Sequence, residues 1–314
     1  MIVYHPHFLF GSRTLNWFHP FEFNRAQLAA GRLRESLGSK LEGRLLEPSQ
    51  AVTLEELSLV HSPEYLESIK SSKLAITRVI EVPLLAVFPR SWVESWFLVP
   101  ALWSMAGSLL AARTALEEGV CLSLGGGFHH ASRGGGEGFC LFSDIAFAIE
   151  TLRADGTLGP NDRIAYLDLD VHQGNGVSLD YQEDLNVKIL DAYNSDTYPV
   201  FGESARGRVD VDIPLQPQTG DDEYLLAVEQ GLEKFETLVA GTKLLIYNAG
   251  TDIYREDKLG GLLVSHQGVN RRDATVTRFA RKLGLPMVAL ASGGYSRTSA
   301  ALLSEFAVFL LEGS

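Results

Sequence analysis

The sequence predicts an α/β protein in which helices cover both faces of a parallel sheet. Three observations predict it. Short apolar runs rich in strand-forming residues recur along the 314 residues. Longer stretches with helical spacing separate them, and such alternation implies parallel strands joined by helical crossovers. Glycine with histidine, aspartate or tyrosine follows four of the runs, where open α/β sheets place their ligands.

Met1–Tyr4 reads as the opening strand. Leu98–Glu117 reads as a helix. It overlaps Ser95–Ala112, which is uncharged for 18 residues and so reaches the length of a membrane span. Pro100, Ser104, Gly107 and Ser108 interrupt that stretch, and it has no second copy in the sequence, so a helix of a large core is expected and no membrane span. Val120–Leu124 is the next strand and Phe142–Arg153 the next helix. Arg163–Leu169 and Val187–Leu190 are strands, and Glu223–Val239 is a helix. Lys243–Tyr247, Arg271–Leu283 and Met287–Leu290 continue as strand, helix and strand. No linker, repeat or low-complexity tract divides the chain.

A composition that is 46% hydrophobic and 21% charged is that of an ordinary globular protein with a sizeable core. The formal net charge of −12 argues against a nucleic-acid binder working through a basic surface. It says little about a small or peptide substrate, which meets only a local field. Cys121 and Cys140 are too few for a disulfide framework or a cysteine zinc cluster. Two reduced thiols and a start lacking the basic and apolar regions of a signal peptide lead us to expect a cytoplasmic protein.

The densest chemistry is Asp168-Leu169-Asp170-Val171-His172, at the end of the Arg163–Leu169 strand. Period-two alternation would point Asp168, Asp170 and His172 one way and Leu167, Leu169 and Val171 the other. One such aspartate is commonly a helix cap. Two carboxylates and an imidazole together make a poor core and suit zinc or another divalent transition metal. Lys243–Tyr247 runs into Asn248-Ala249-Gly250-Thr251-Asp252. Asp170, His172 and Asp252 then give three ligands and leave a position open, as catalytic zinc requires. Asp168 would stand behind them, orienting a histidine or binding a monovalent cation. Val120–Leu124 runs into a triple glycine and the pair His129-His130, one able to take a proton while the other hydrogen-bonds nearby. Met287–Leu290 runs into Ser292-Gly293-Gly294-Tyr295. That tyrosine either packs as an aromatic or donates its O–H to a developing oxyanion.

These residues resemble a known family. GGGFHHA (125–131), GFCLFSDIA (138–146), LDLDVHQGNG (167–176), NAGTD (248–252) and SGGY (292–295) are similar to the zinc-dependent histone deacetylases, in the same order over nearly the whole chain. HPFEFNR (19–25), HSPEYL (61–66), the D-x-H-Q-G-N-G form and YNAGTDIYREDKLGGL (247–262) are most similar to the class IV branch.

The resemblance implies a three-layer arginase/deacetylase fold with a mostly parallel eight-stranded sheet, residues 1–314 forming a single catalytic domain. It implies Zn2+, or Fe2+, on Asp170, His172 and Asp252. His129 and His130 would be the catalytic histidines, and Tyr295 would polarise the substrate carbonyl. Gly138 and Phe139, with Gly293 and Gly294, would line a narrow acyl-lysine channel. Asp168 would bond His129 and help hold K+ with Asp191 and the carbonyls of Asp170, His172 and Ala192. One departure stands out: many class I members carry an aspartate where this chain has Asn175. Without that charge His130 should favour its charged form less.

The implied reaction is hydrolysis of an N-acyl-lysine, in a peptide or protein, or of a similar N-acyl amine. The class IV likeness implies tolerance of long fatty acyl groups. Aromatics in Trp92–Phe97 and Tyr193–Phe201 would line their channel or belong to the core. An acetylpolyamine or other small-molecule amidohydrolase of the same fold also fits. A two-manganese, arginase-like enzyme would need a second ligand set, which the sequence lacks. A non-catalytic acyl-lysine reader would be expected to lose a ligand, a histidine or the tyrosine. The oligomeric state is left open by the sequence.

Overall fold

The computed structural model describes residues 1–11, 22–199 and 203–313. Among them lie the strands β1 (Ile2–Val3), β2 (Leu45–Leu46), β3 (Val120–Ser123), β4 (Ile164–Asp168), β5 (Val187–Asn194), β6 (Val211–Leu215), β7 (Leu244–Asn248) and β8 (Met287–Leu290). They form one sheet in the order β2-β1-β3-β8-β7-β4-β5-β6. Every pairing is parallel, so the mostly parallel sheet expected is wholly so among these strands. Every residue of β4 and β7 is buried, as expected for strands covered on both faces.

The helices are α1 (Arg25–Leu37), α2 (Pro63–Ser71), α3 (Lys73–Val79), α4 (Arg90–Val93), α5 (Val99–Glu118) and α6 (Asp144–Ala154), followed by α7 (Asn175–Asp180), α8 (Glu203–Arg206), α9 (Asp221–Leu238), α10 (His266–Leu283) and α11 (Ser299–Glu312). α5 lies against β1, β3, β8 and β7 with α6 beside it. α9 covers β5 and β6, and α10, α11 and α1 continue that row. Helices thus flank the central sheet in the expected three-layer arrangement.

The uncharged stretch enters α5 through a π turn at Glu94–Leu98. Arg90–Glu118 is helical throughout and long and apolar enough to cross a bilayer, but most of its most apolar 18-residue window is buried, with Ala101, Met105, Ala111, Ala112 and Ala115 in the core. β2 and β6 escape the sequence reading for physical reasons. β2 is two residues long, and β6 sits at the sheet edge with Pro214 inside it, a residue tolerated there because an edge strand has no outer ladder to satisfy.

Candidate active site

β3, β8, β7 and β4 are consecutive in the middle of the sheet. The pairs Ser123↔Leu290, Asn248↔Leu290 and Asp168↔Asn248 set their carboxyl ends level. The four glycine-rich motifs therefore leave the sheet side by side.

Asp170 and His172 reach the site by a route the strand pattern does not give. β4 ends at Asp168, and the alternation expected through His172 stops there. Asp168 Oδ1 accepts from the Asp170 N–H at 3.1 Å, and Asp170 Oδ1 accepts from the His172 N–H at 3.0 Å. Two successive bends, each held by an aspartate side chain, replace the extended backbone. They bring one potential ligand atom from each of Asp170, His172 and Asp252 within 4.8 Å of one another. His172 Nδ1 lies 3.1 Å from Asp170 Oδ1 and 3.3 Å from Asp252 Oδ2.

These carboxylates are fixed from behind. Asp252 Oδ1 accepts from the Val171 N–H, and Asp170 Oδ2 accepts from Ser292 Oγ and the Gly293 N–H. A Cβ on Gly293 would strike both carboxylates, and one on Gly250 would strike Asp170. Beneath them the buried Arg272 donates to the carbonyls of Leu169 and Gly250 and pairs with Asp273, tying the two ligand-bearing loops together. Asp252 Oδ2 is buried and accepts no hydrogen bond. Burial and the Asp170 charge raise the pKa of Asp252. Burial pushes the His172 imidazole down, but Asp170 and Asp252 outweigh it and lift it to about 10. Three buried ionisable groups with a carboxylate oxygen that no hydrogen bond satisfies fit a cation, which would offset the negative charge.

Beside the triad stand His129 and His130. Gly126 and Gly127 turn the chain out of β3 with φ of +87° and +82°. The Gly127 and Phe128 N–H groups donate to the Asp144 carboxylate, and so does Ser108. The His129 carbonyl accepts from the N–H groups of Gly176 and Val177 in the first turn of α7. A Cβ at Gly176 would collide with the His130 and Ala131 backbone, which accounts for a glycine there. His129 Nδ1 is 2.8 Å from Asp168 Oδ2, and His130 Nδ1 is 2.7 Å from Asn175 Oδ1. Burial lowers the pKa of His129, but Asp168 and Asp170 reverse this and bring it to about 9. His130 is held well below its usual range by burial and by the charges of His129 and His172. The Asn175 hydrogen bond works the other way and raises the His130 pKa, so the low value comes from burial and the neighbouring imidazoles, not from Asn175. Asn175 Nδ2 in turn donates to the Glu137 carboxylate.

Tyr295 faces the same space, its ring 6.0 Å from those of both His172 and Phe139. Burial, with Asp170 and Asp252, pushes its phenol well above the usual value, so it stays an O–H donor. His130, Gly138, Phe139 and Tyr295 line two cavities at once: an outer groove that includes Glu81, His172 and Tyr198, and an inner chamber walled by Phe8, Phe10, Phe23, Phe97, Leu124 and Phe128. His172 lines the groove, and Ser292 and Gly293, which donate to Asp170, line the chamber.

Some expectations shift. Gly294 does not line either cavity; a Cβ there would meet Thr251, Arg25 and Ser299. Gly293 lines the inner chamber, but its closest neighbours are the two carboxylates. Of Trp92–Phe97, Phe97 reaches the inner chamber, whereas Trp92 is 51% exposed. Of Tyr193–Phe201, Tyr198 lines the groove, and Tyr193 bonds Asp212 instead. Phe201 lies outside the described residues, as do His19, Pro20 and Phe21 of the HPFEFNR motif. Asp191 packs beside Asp168 in register and accepts from Gly174 N–H, with its second oxygen unpartnered. Arg25, which donates to the carbonyls of Ser292 and Gly294, escaped the sequence reading, as did Asp144, Glu137 and Arg272. Only Asp144 left a local signal, an acidic residue in the first turn of a helix.

Carboxylates and an imidazole that fit a cation, flanked by two histidines and a tyrosine at the carboxyl edge of a parallel sheet, define a metal-dependent hydrolase. The chain belongs to the histone deacetylase family, whose domain model matches residues 19–309. It is 38% identical over 311 residues to Histone deacetylase 2 of Arabidopsis thaliana, an alignment covering 97% of this chain and 76% of that one. It is 27% identical to the acetoin utilization protein AcuC of Bacillus subtilis, covering 88% and 73%. Its fold is similar to that of a histone deacetylase homologue crystallised with SAHA, at a TM-score of 0.77 and 22% identity, covering 99% and 83%. These likenesses make it a deacetylase of the metal-dependent kind.

Proposed function

We propose that this protein hydrolyses the amide of an N-acylated lysine, or a similar acylated amine, and that it takes acyl groups longer than acetyl. The observation that carries this reading is that His130, Phe139 and Tyr295, beside the triad, line two cavities at once. The outer groove admits the aliphatic chain of the amine, and the inner, largely aromatic chamber, with Glu22 and Arg25 also in its wall, receives the acyl end.

Asp170, His172 and Asp252 would hold the cation, and their mixed oxygen and nitrogen donors suit Zn2+ or Fe2+. When bound, such an ion supplies a Lewis acid for the carbonyl and lowers the pKa of water. The protein's own groups do the rest. His130 Nε2 accepts a proton from the attacking water. Tyr295 donates its O–H to the oxygen on which charge develops. His129, kept cationic by Asp168, protonates the leaving amine. Asp191 and Asp168, with the carbonyls of Asp170, His172 and Ala192, would hold K+ behind His129. Its charge would offset the two carboxylates; burial and Asp168 push the Asp191 carboxyl well up.

A two-metal reading has less support, because the triad is the one potential metal-binding group of this kind among the described residues. The test is kcat/KM for acetyl-, octanoyl- and myristoyl-lysine in one peptide, with acetylpolyamines alongside. Each methylene that enters the chamber can add ~0.8 kcal/mol, so octanoyl should exceed acetyl. A steady fall with chain length would show a short, closed pocket.

A further inference from the structure

Asn175 poses a problem for its histidine that an aspartate would not. A carboxylate only accepts hydrogen bonds, so it forces the facing imidazole nitrogen to carry a proton. An amide offers an acceptor at one end and donors at the other. Turned one way it suits Nδ1–H; turned the other way it suits a bare Nδ1 with the proton on Nε2. The second arrangement would leave His130 unable to accept a proton at the nitrogen its role requires.

The structure places a carboxylate on the far side of that amide. Asn175 Oδ1 faces His130 Nδ1 at 2.7 Å, and Asn175 Nδ2 faces Glu137 Oε1. Because Glu137 can only accept, the NH2 end of Asn175 must point at it. The carbonyl end must then point at His130, so Nδ1 carries the proton and Nε2 keeps its lone pair. Burial and the nearby Glu137 carboxylate raise the pKa of Tyr198, and the Tyr198 ring packs edge-on against His130 with centroids 5.0 Å apart. The Glu137 backbone is equally fixed. Its carbonyl accepts from the Cys140 N–H at 2.8 Å across a tight turn, with Gly138 and Phe139 at φ of +52° and +66°. One turn therefore presents Phe139 to the channel and Glu137 to Asn175.

We propose that Glu137 is a positioning residue for His130: it fixes the direction of the Asn175 amide and thereby which His130 nitrogen is protonated. Asn175 and Glu137 together do at two removes what a single aspartate would do directly. The inference rests on the reading of His130 as a proton acceptor, and it makes a claim about tautomer that needs no activity to check.

The experiment is nitrogen-15 labelling of histidine in the zinc-loaded protein, with a two-bond proton–nitrogen correlation spectrum to read the proton on each ring nitrogen. His130→Ala assigns the resonance. Wild type should show His130 as Nδ1–H. Glu137→Gln keeps the shape but restores an ambivalent partner, so both tautomers should appear. Glu137→Lys presents only donors, so the amide should turn and the proton move to Nε2. Asn175→Asp should make both Glu137 changes silent. On an acyl-lysine peptide Glu137→Lys should lower kcat by on the order of 10²-fold, the scale of a lost general base, with little change in KM. Pure Nδ1–H in both Glu137→Gln and Glu137→Lys would overturn the proposal. Tautomers that follow Glu137 in a protein with no acyl-lysine hydrolysis would uphold it and remove the proposed reaction instead.

Discussion

His129 and His130 adjoin in the chain and their ring centroids are 4.0 Å apart, yet one leans on a carboxylate and the other on an amide. Environments that differ this much divide acid from base between two like residues. Asp168 and Asp170 keep His129 charged up to about 9, while burial beside two other imidazoles keeps His130 neutral.

The pH profile of kcat/KM should therefore respond to the two partners separately. Asp168→Asn removes charge that raises the His129 pKa, so the alkaline limb should move to lower pH. Asn175→Asp adds charge beside His130 and raises its pKa, so the acid limb should move to higher pH. Limbs that stay in place in both variants would dissociate these residues from the proton transfers.

Tyr295→Phe deletes one hydroxyl and almost no volume, so the fold should survive. Loss of one oxyanion donor should lower kcat by roughly 10²-fold or more with metal content unchanged. Turnover equal to wild type would remove Tyr295 from the reaction.

Gly293 should matter to metal retention although it bears no ligand. In Gly293→Ala the new methyl runs into Asp252 and Asp170, and the carboxylates must separate. Elemental analysis after dialysis should show metal content well below wild type, as in Asp170→Ala. Full occupancy in both variants would refute the placement of the site.

His61 makes a prediction about stability. Its Nε2 accepts the Ser143 N–H at 3.0 Å at the start of α6, a bond that protonation destroys. Burial lowers its pKa to about 4, against ~6.5 in the unfolded chain. The unfolded state thus takes up a proton below ~6.5 that the folded state refuses until about 4. Stability from this group is complete above ~6.5 and is lost as pH falls toward 4. Urea midpoints between pH 7 and 4.5 should fall more steeply in wild type than in His61→Gln. Parallel curves would show that His61 does not drive the acid loss.

Much of this was legible in the sequence because a buried parallel strand and its glycine-rich exit leave a local pattern. The runs at Val120, Arg163, Lys243 and Met287 and the residues that follow them suffice to gather His129, Asp170, Asp252 and Tyr295 on one edge. The supporting groups left little trace. Arg272 looks like any helical arginine, and its role depends on two carbonyls, one of them 103 residues away. Glu137 reads as a loop charge until Asn175 is placed against it. The alternation drawn through Asp168 and His172 does not occur: side-chain-to-backbone bonds outcompeted the extended strand, and the resulting bends bring Asp170 and His172 together by another route.

The most direct test is one titration: amine release from an octanoyl-lysine peptide as zinc is added back to chelator-stripped protein. Activity should be absent without metal, rise linearly, and saturate at about one ion per chain, with His172→Ala inactive throughout. Activity that survives stripping, or that first appears only after a second ion is bound, would contradict a single catalytic metal on Asp170, His172 and Asp252.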